Sequence, residues 1–285
     1  MSPQDPNTPS RLAPAADFPP LGRVCRLGLA TRGNTHLPRE GVEEAVRRGV
    51  NYFNGPGAGH RDGLTEAVRA MSPEQRSRIR LAAQFQARSA SEAREELAEI
   101  LADFNTSFID VLTYYYVEEE DEWETILAED GAATELSEAK KAGKVRAIGV
   151  TTHQRPLAAN IAQNGRVDLL MIRYNAAHRG AETEVFPVTG KQNLPVVAYT
   201  ALRWGAMMGP TPDDPEDFTP PSAPDCYRYV LENPHVTVVL AAPNCLAELE
   251  EDLAILDDWR GLTEEQRDAM NAHGQRVRRW GGAFP

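Results

Sequence analysis

The sequence predicts a single-domain (β/α)8 TIM barrel, an α/β fold, and three observations predict it. Eight apolar, strand-like runs alternate with helical patterns along most of the chain. Several of those runs, such as VVAYTA and VTVVLAA, are continuously apolar rather than alternating, as parallel strands buried on both faces must be. The chain has 285 residues, a length that α/β barrels fill as one domain. A doubly wound open sheet would carry a glycine-rich turn after its first strand, and GLATRGN is not G-x-G-x-x-G.

Residues 1–22 are rich in Pro, Ser and Asn and are expected to form a flexible tail, with the barrel over 23–285. The strands are expected at 23–31, 51–55, 79–86, 109–117, 147–152, 169–175, 195–201 and 236–242. After the first strand, PREGVEEAVRRGV reads as a helix with Pro at its start and Gly at its end. After the third, SASEAREELAEILADFN opens on a Ser cap and sets Leu97, Ile100 and Leu101 on one face. After the eighth, CLAELEEDLAILDD places Leu246, Leu249, Leu253 and Leu256 on one face. The stretch 203–223, with its run of Pro and Asp, is the longest irregular segment. It follows the seventh strand, where barrels build their sites, and is expected to be functional or mobile.

Composition excludes several classes. The net charge of −12 argues against nucleic acid, because phosphate contacts need a basic face. No apolar run reaches the roughly 18–20 residues that span a bilayer, and MSPQDPNTPS lacks the pattern of a secretory signal. A cytoplasmic location is therefore expected. Cys25, Cys226 and Cys245 are too few and too scattered for a disulfide framework or a zinc knuckle. The histidines show no H-x-H or H-E-x-x-H spacing, so no metal site is expected.

RGVNYFN, KKAGKVRAIGVTTHQ, IRYN, LPVVAYTALRWG and YVLENPHVTVVLAAPNCLAELEEDL occur in this order over residues 23–258. Together they resemble the aldo-keto reductase family. The resemblance implies a TIM barrel and hydride transfer with NADP(H). It also implies a catalytic Asp, Tyr, Lys and His, which fall here on Asn54, on Gly59 with His60 beside it, on Gln84 and on Tyr115. In such a site a lysine lowers the phenol pKa so that the tyrosine works as an acid. Asn54 and Gln84 cannot ionise, so that tuning is absent, and His60 becomes the expected acid–base group with Tyr115 beside it. On the cofactor side the resemblance matches Tyr199 to the residue that stacks on nicotinamide, and Thr200 and Leu202 to neighbours of the pyrophosphate. Arg173 stands where the family has Gln, and Thr151–Thr152 where it has Ser-Asn. The arginine that grips the 2′-phosphate has no basic counterpart in APNCLAELEED, which weakens the expectation of NADP(H) and leaves the cofactor unknown.

The barrel rule gives a second route to the site, because residues just after strand ends face the mouth. His36, His60, His153 and His178 lie in such loops, as do Arg32, Arg61, Arg179 and Arg203, and Arg173 ends a strand. The expected mouth is polar and partly cationic, suited to a small polar or anionic ligand. Asn54, Gln84, Arg173 and His153 are its candidate substrate contacts. If Tyr115 points inward, alternation sends Tyr114 and Tyr116 outward under helices. The acidic run 118–122 reads as a solvated helix start, GPGAG as a flexible turn that leaves open space, and Arg276, Arg278 and Arg279 as a solvated helix face. Three functions remain open: a rebuilt site with chemistry of its own, an NAD(P)H-dependent carbonyl reductase using His60 as proton donor, and a catalytically silent binding protein.

Overall fold

A computed structural model describes residues 9–31 and 36–282. Ten strands are formed: β1 (Ala15–Phe18), β2 (Gly22–Cys25), β3 (Leu27–Ala30), β4 (Tyr52–Gly55), β5 (Arg80–Phe85), β6 (Ile109–Tyr114), β7 (Val145–Thr152), β8 (Leu169–Arg173), β9 (Val196–Tyr199) and β10 (Val238–Ala241). Strands β3 to β10 pair in parallel, each with its sequence neighbour, and β10 returns to β3 to close the barrel. The expected eight-stranded barrel is the observed one.

Alternation along the strands sorts the core into two layers. Leu27, Leu29, Phe53, Leu81 and Leu112 face outward and pack under the helices. Ala30, Tyr52, Ala82, Val111, Ala147, Met171, Val197 and Val238 face inward and fill the barrel. The helix Ala90–Phe104 starts where Ser89 and Glu92 cap one another, as SASE suggested, and ends at Asn105 in the left-handed conformation.

The expected tail is corrected over its described part. β1 and β2 form an antiparallel hairpin, and Phe18, Leu21 and Val24 enter the barrel's interior core. Phe18 stacks on Tyr52 with ring centroids 5.7 Å apart. An open barrel end would leave those rings in water, and each buried large side chain contributes about 1.5–3 kcal/mol. Of the prolines read as a disordering signal, Pro19 and Pro20 lie in the turn of this hairpin. The first expected strand is also split: Arg26 leaves the sheet and donates to the carbonyls of Leu231 and Val236, each at 2.8 Å.

Below the barrel, Asp110 is fully buried and accepts from Arg76 at 2.8 Å, Arg146 at 2.9 Å and the Leu81 amide at 3.0 Å. The Phe108 ring lies between the two guanidinium groups, 4.3 and 4.2 Å from them. Above it, the final helix Glu264–Trp280 pins the irregular segment that follows β9. His273 meets the Met207 carbonyl at 2.9 Å, Arg276 meets Asp214 at 2.6 Å and Arg279 meets Asp213 at 2.6 Å. Of the expected solvated face, Arg276 is instead held against that segment with its side chain 16% exposed, while Arg278 and Arg279 are exposed as expected, Arg279 still reaching Asp213.

Among the described residues no helix is long and apolar enough to cross a membrane. No group of three or more His, Cys, Asp or Glu among them is placed to hold a metal ion.

Candidate functional site

The polar floor of the mouth follows from strand parity. Asn54, Gln84, Thr113, Thr151, Arg173 and Tyr199 each lie an even number of residues beyond an inward-facing side chain of the same strand. They form the C-terminal layer of the barrel interior, with Gln84 opposite Thr113 and Arg173 opposite Tyr199. Asn54, Thr113 and Thr151 are each no more than 2% exposed. Asn54 Oδ1, Thr113 Oγ1 and Thr151 Oγ1 have no hydrogen-bond partner among the described residues. A buried polar atom left in that state costs about 1–3 kcal/mol. The layer therefore offers one acceptor and two hydroxyls to whatever enters the mouth.

The loop after β6 departs from the expected alternation. Tyr114 does face outward, against Phe85 and Trp123. Tyr116 does not pack under a helix, because its backbone turns left-handed at φ 48°. That turn stacks its ring on Tyr115 at 3.7 Å and sets it 4.4 Å from the His153 ring. A non-glycine residue in this conformation stores strain, which clusters where a side chain must be aimed. His153, just after β7, also meets Tyr199 edge-on at 6.0 Å. Glu118 completes the group. Its Oε1 accepts from both the His153 amide at 3.0 Å and Nδ1 at 2.9 Å, and its Oε2 accepts from Gln154 at 3.2 Å. The acidic run is thus not simply a solvated helix start: Glu118 serves His153, and Glu122 pairs with Arg88 at 2.7 Å.

The adjoining rim, after β8 and β9, is cationic. Burial, then the charges of Arg173, Arg203, Arg278 and Arg155, pulls the His178 imidazole down to about 4. Burial likewise lowers Arg173, partly offset by Tyr199 and Glu118 nearby. Thr200, Arg203 and Trp204 all have positive φ, and Gly205 follows at φ 86°. The segment after β9 is held in this shape from above, since Arg203 donates to the carbonyls of Val277 at 3.1 Å and Gly282 at 3.0 Å.

His60 lies elsewhere. It is exposed, its Nδ1 meets the Ala58 carbonyl at 3.0 Å, and it lines a cavity of about 840 Å³ with Thr31, Gln84 and Glu96. Tyr115, Arg173 and His153 do not line that cavity. The expected grouping of His60 with Tyr115 and Arg173 is therefore not the arrangement found. The GPGAG turn is anchored, since the Gly59 amide donates to Asp103 at 2.8 Å and a Cβ on Gly57 would stand 2.9 Å from the Gln84 carbonyl oxygen, while Pro56, Gly57 and Ala58 border the open space of this cavity. His36 lines the same cavity, while Arg32 lies outside the described residues.

The sequence pattern of the aldo/keto reductase family matches residues 38–225. The chain belongs to the aldo/keto reductase family. It is 25% identical over 173 residues to the NADH-specific methylglyoxal reductase of Escherichia coli, a match that covers 61% of this chain and 47% of that one. The chain thus spans about half the length of that curated relative. Among solved structures it is similar to the aldo-keto reductase AKR11C1 of Bacillus halodurans in its holo form, with a TM-score of 0.71 and 17% identity. That likeness covers 93% of this chain and 96% of the other. An aldo/keto reductase from Brucella melitensis gives a TM-score of 0.69 at 16% identity, covering 92% and 98%.

For an aldo/keto reductase, the turn after β10 is where the resemblance puts the 2′-phosphate of NADP(H). Here Asn244 donates to Glu248 Oε2 through its amide at 2.7 Å and its side chain at 3.0 Å. A carboxylate already takes the donors that an anion would need, and no Lys or Arg lies between Val236 and Trp259. These residues do not fit a 2′-phosphate. A dinucleotide without that phosphate meets no such conflict. Tyr199, expected against nicotinamide, is largely covered, with its hydroxyl 3.5 Å from the Thr152 carbonyl. Leu202 packs against the core, and Thr200 starts the strained turn.

The residue that sequence reasoning missed is Glu118. Its partner lies 35 positions away, and no local motif announces the contact. The available signal was topological: both residues follow the ends of neighbouring strands, β6 and β7.

Proposed function

We propose that this aldo/keto reductase barrel binds a small, oxygen-rich anion at its C-terminal mouth and works there without the family's Asp, Tyr, Lys and His set. The observation that carries the reading is the trio of partnerless buried oxygens on Asn54, Thr113 and Thr151, in the strand-end layer that also holds Arg173. Asn54 Oδ1 calls for a donor such as a hydroxyl. The threonine hydroxyls call for acceptors such as a carboxylate, whose charge suits the cationic rim. A hydroxy acid supplies both. The positions that the resemblance gives to the four catalytic residues hold Asn54, Gly59 with His60 beside it, Gln84 and Tyr115. Calorimetric titration with D-gluconate, against sorbitol as its neutral counterpart, tests this. Saturable binding of gluconate alone supports the reading, and equal failure of both ligands rejects it.

A second reading is reduction of a small carbonyl compound with NADH. It is favoured by the acidic turn around Glu248, which suits a ribose diol better than a phosphate, and by the NADH specificity named for the Escherichia coli relative. Titration with NADH and NADPH, followed by nucleotide fluorescence, separates the two. Binding of NADH without NADPH supports it, and binding of neither removes it.

A further inference from the structure

We infer that His153, aimed by Glu118, is the proton-transfer group of the mouth, acting on a hydroxyl of the bound hydroxy acid. This rests on the anion-binding reading for its substrate, but its geometry stands independently. An ionised carboxylate only accepts hydrogen bonds, so the proton in the 2.9 Å contact between Glu118 Oε1 and His153 Nδ1 belongs to nitrogen. In the neutral ring that fixes the tautomer and leaves the lone pair on Nε2.

The carboxylate is itself held from several sides. The Glu118 amide donates to Glu122 at 2.9 Å, and its two oxygens take three donors from the 153–154 segment. The imidazole is only 14% exposed and has aromatic neighbours on two sides, Tyr116 at 4.4 Å and Tyr199 at 6.0 Å. The left-handed backbone of Tyr116 is what places its ring there. A carboxylate that orients a histidine through Nδ1 while the ring is locked by packing is the arrangement a general base requires. His60 has the orienting contact, its Nδ1 meeting the Ala58 carbonyl at 3.0 Å, but it is exposed and that partner carries no charge to balance an imidazolium.

The step is a simple one. The ligand O–H bond breaks, its electron pair stays on oxygen, and the proton joins Nε2. The imidazolium so formed is balanced by Glu118. The alkoxide lies in the field of Arg173, the strand neighbour of Tyr199. The reverse transfer returns the proton. In these terms His153 is the catalytic residue and Glu118 a positioning residue.

Two measurements on the whole chain test this without a ligand. Diethyl pyrocarbonate reports the Nε2 lone pair: the nitrogen attacks a carbonyl carbon, and the leaving ethyl carbonate decays to carbon dioxide and ethanol. Peptide mapping gives the His153 rate relative to His60 in the same molecule. Glu118→Ala is expected to lower that ratio about tenfold, and Glu118→Gln, whose amide oxygen still accepts from Nδ1, by less, with Glu119→Gln as the control that leaves it unchanged. An unchanged ratio in the Glu118 variants overturns the inference. Nitrogen-15 spectra at pH 9 give the tautomer directly in the unmutated protein, so the test survives a variant that fails to fold. The Nδ1–H form is expected at His153, and a dominant Nε2–H form overturns the assignment. Failure here leaves the gluconate experiment intact, and failure there leaves this pair intact.

Discussion

The Tyr227 hydroxyl donates to Asp252 Oδ1 at 2.8 Å in a contact between two outer helices from which water is excluded. Burial pushes the Asp252 carboxyl up to about 7, against the pull of the Tyr227 hydrogen bond and with further lift from Glu251 and Glu248. The folded state thus holds a proton there that the unfolded chain, with an ordinary carboxyl near 3.8, has released. Stability from this group is full below about pH 4 and is lost as pH rises through about 7. Asp252→Asn removes the titration and keeps the acceptor. It should match the parent in urea unfolding at pH 4.5 and exceed it at pH 8.5 by on the order of 2 kcal/mol. An equal difference at both pH values would refute the assignment.

Asp110 is the opposite case, a buried carboxylate with every charge answered. Asp110→Ala strands Arg76, whose side chain is 7% exposed, with its countercharge gone. The expected loss is about 3–5 kcal/mol in urea unfolding, as for other broken buried pairs. A loss below about 1 kcal/mol would mean that water reaches the site.

The barrel was legible because its strands are apolar throughout, and that pattern survives without tertiary information. The polar floor was legible in part, since Asn54, Gln84, Arg173 and Tyr199 end strands and parity says which way they face. Thr113 and Thr151 shared that parity but were not singled out as ligand contacts, because a threonine in a strand is ordinary. What matters about them is a missing partner, which is a property of three dimensions. The hairpin 15–25 was hidden by its prolines, which signal turn and tail alike. The Glu118–His153 contact and the clasp of Arg276 and Arg279 on the segment after β9 join distant positions, where neither periodicity nor spacing speaks.

The rim makes a separate prediction. His178 should titrate near 4 in the free protein, because burial and four arginines disfavour its charged form. A depressed histidine binds fewer protons folded than unfolded, so its share of stability is lost as pH falls from about 6.5 toward 4. An anion seated at the rim would answer the arginine charge and raise that value. Imidazole NMR with and without D-gluconate measures both. A free His178 titrating at its ordinary value would show that the rim is not cationic in solution.

The unmatched threonines offer the sharpest separation of function from stability. Thr113→Val and Thr151→Val change a hydroxyl for a methyl of nearly the same size. In an ordinary buried position this leaves a partner unsatisfied and costs about 1–3 kcal/mol. Here no partner is left behind among the described residues, since neither hydroxyl is hydrogen-bonded. The variants should therefore hold or raise the melting temperature of the free protein. Each should also weaken gluconate binding, by about ten- to a hundredfold for one hydrogen bond to a charged acceptor. A structural threonine would show the reverse, with stability down and binding untouched. Stabilised protein together with weakened binding means that those oxygens are kept for a ligand.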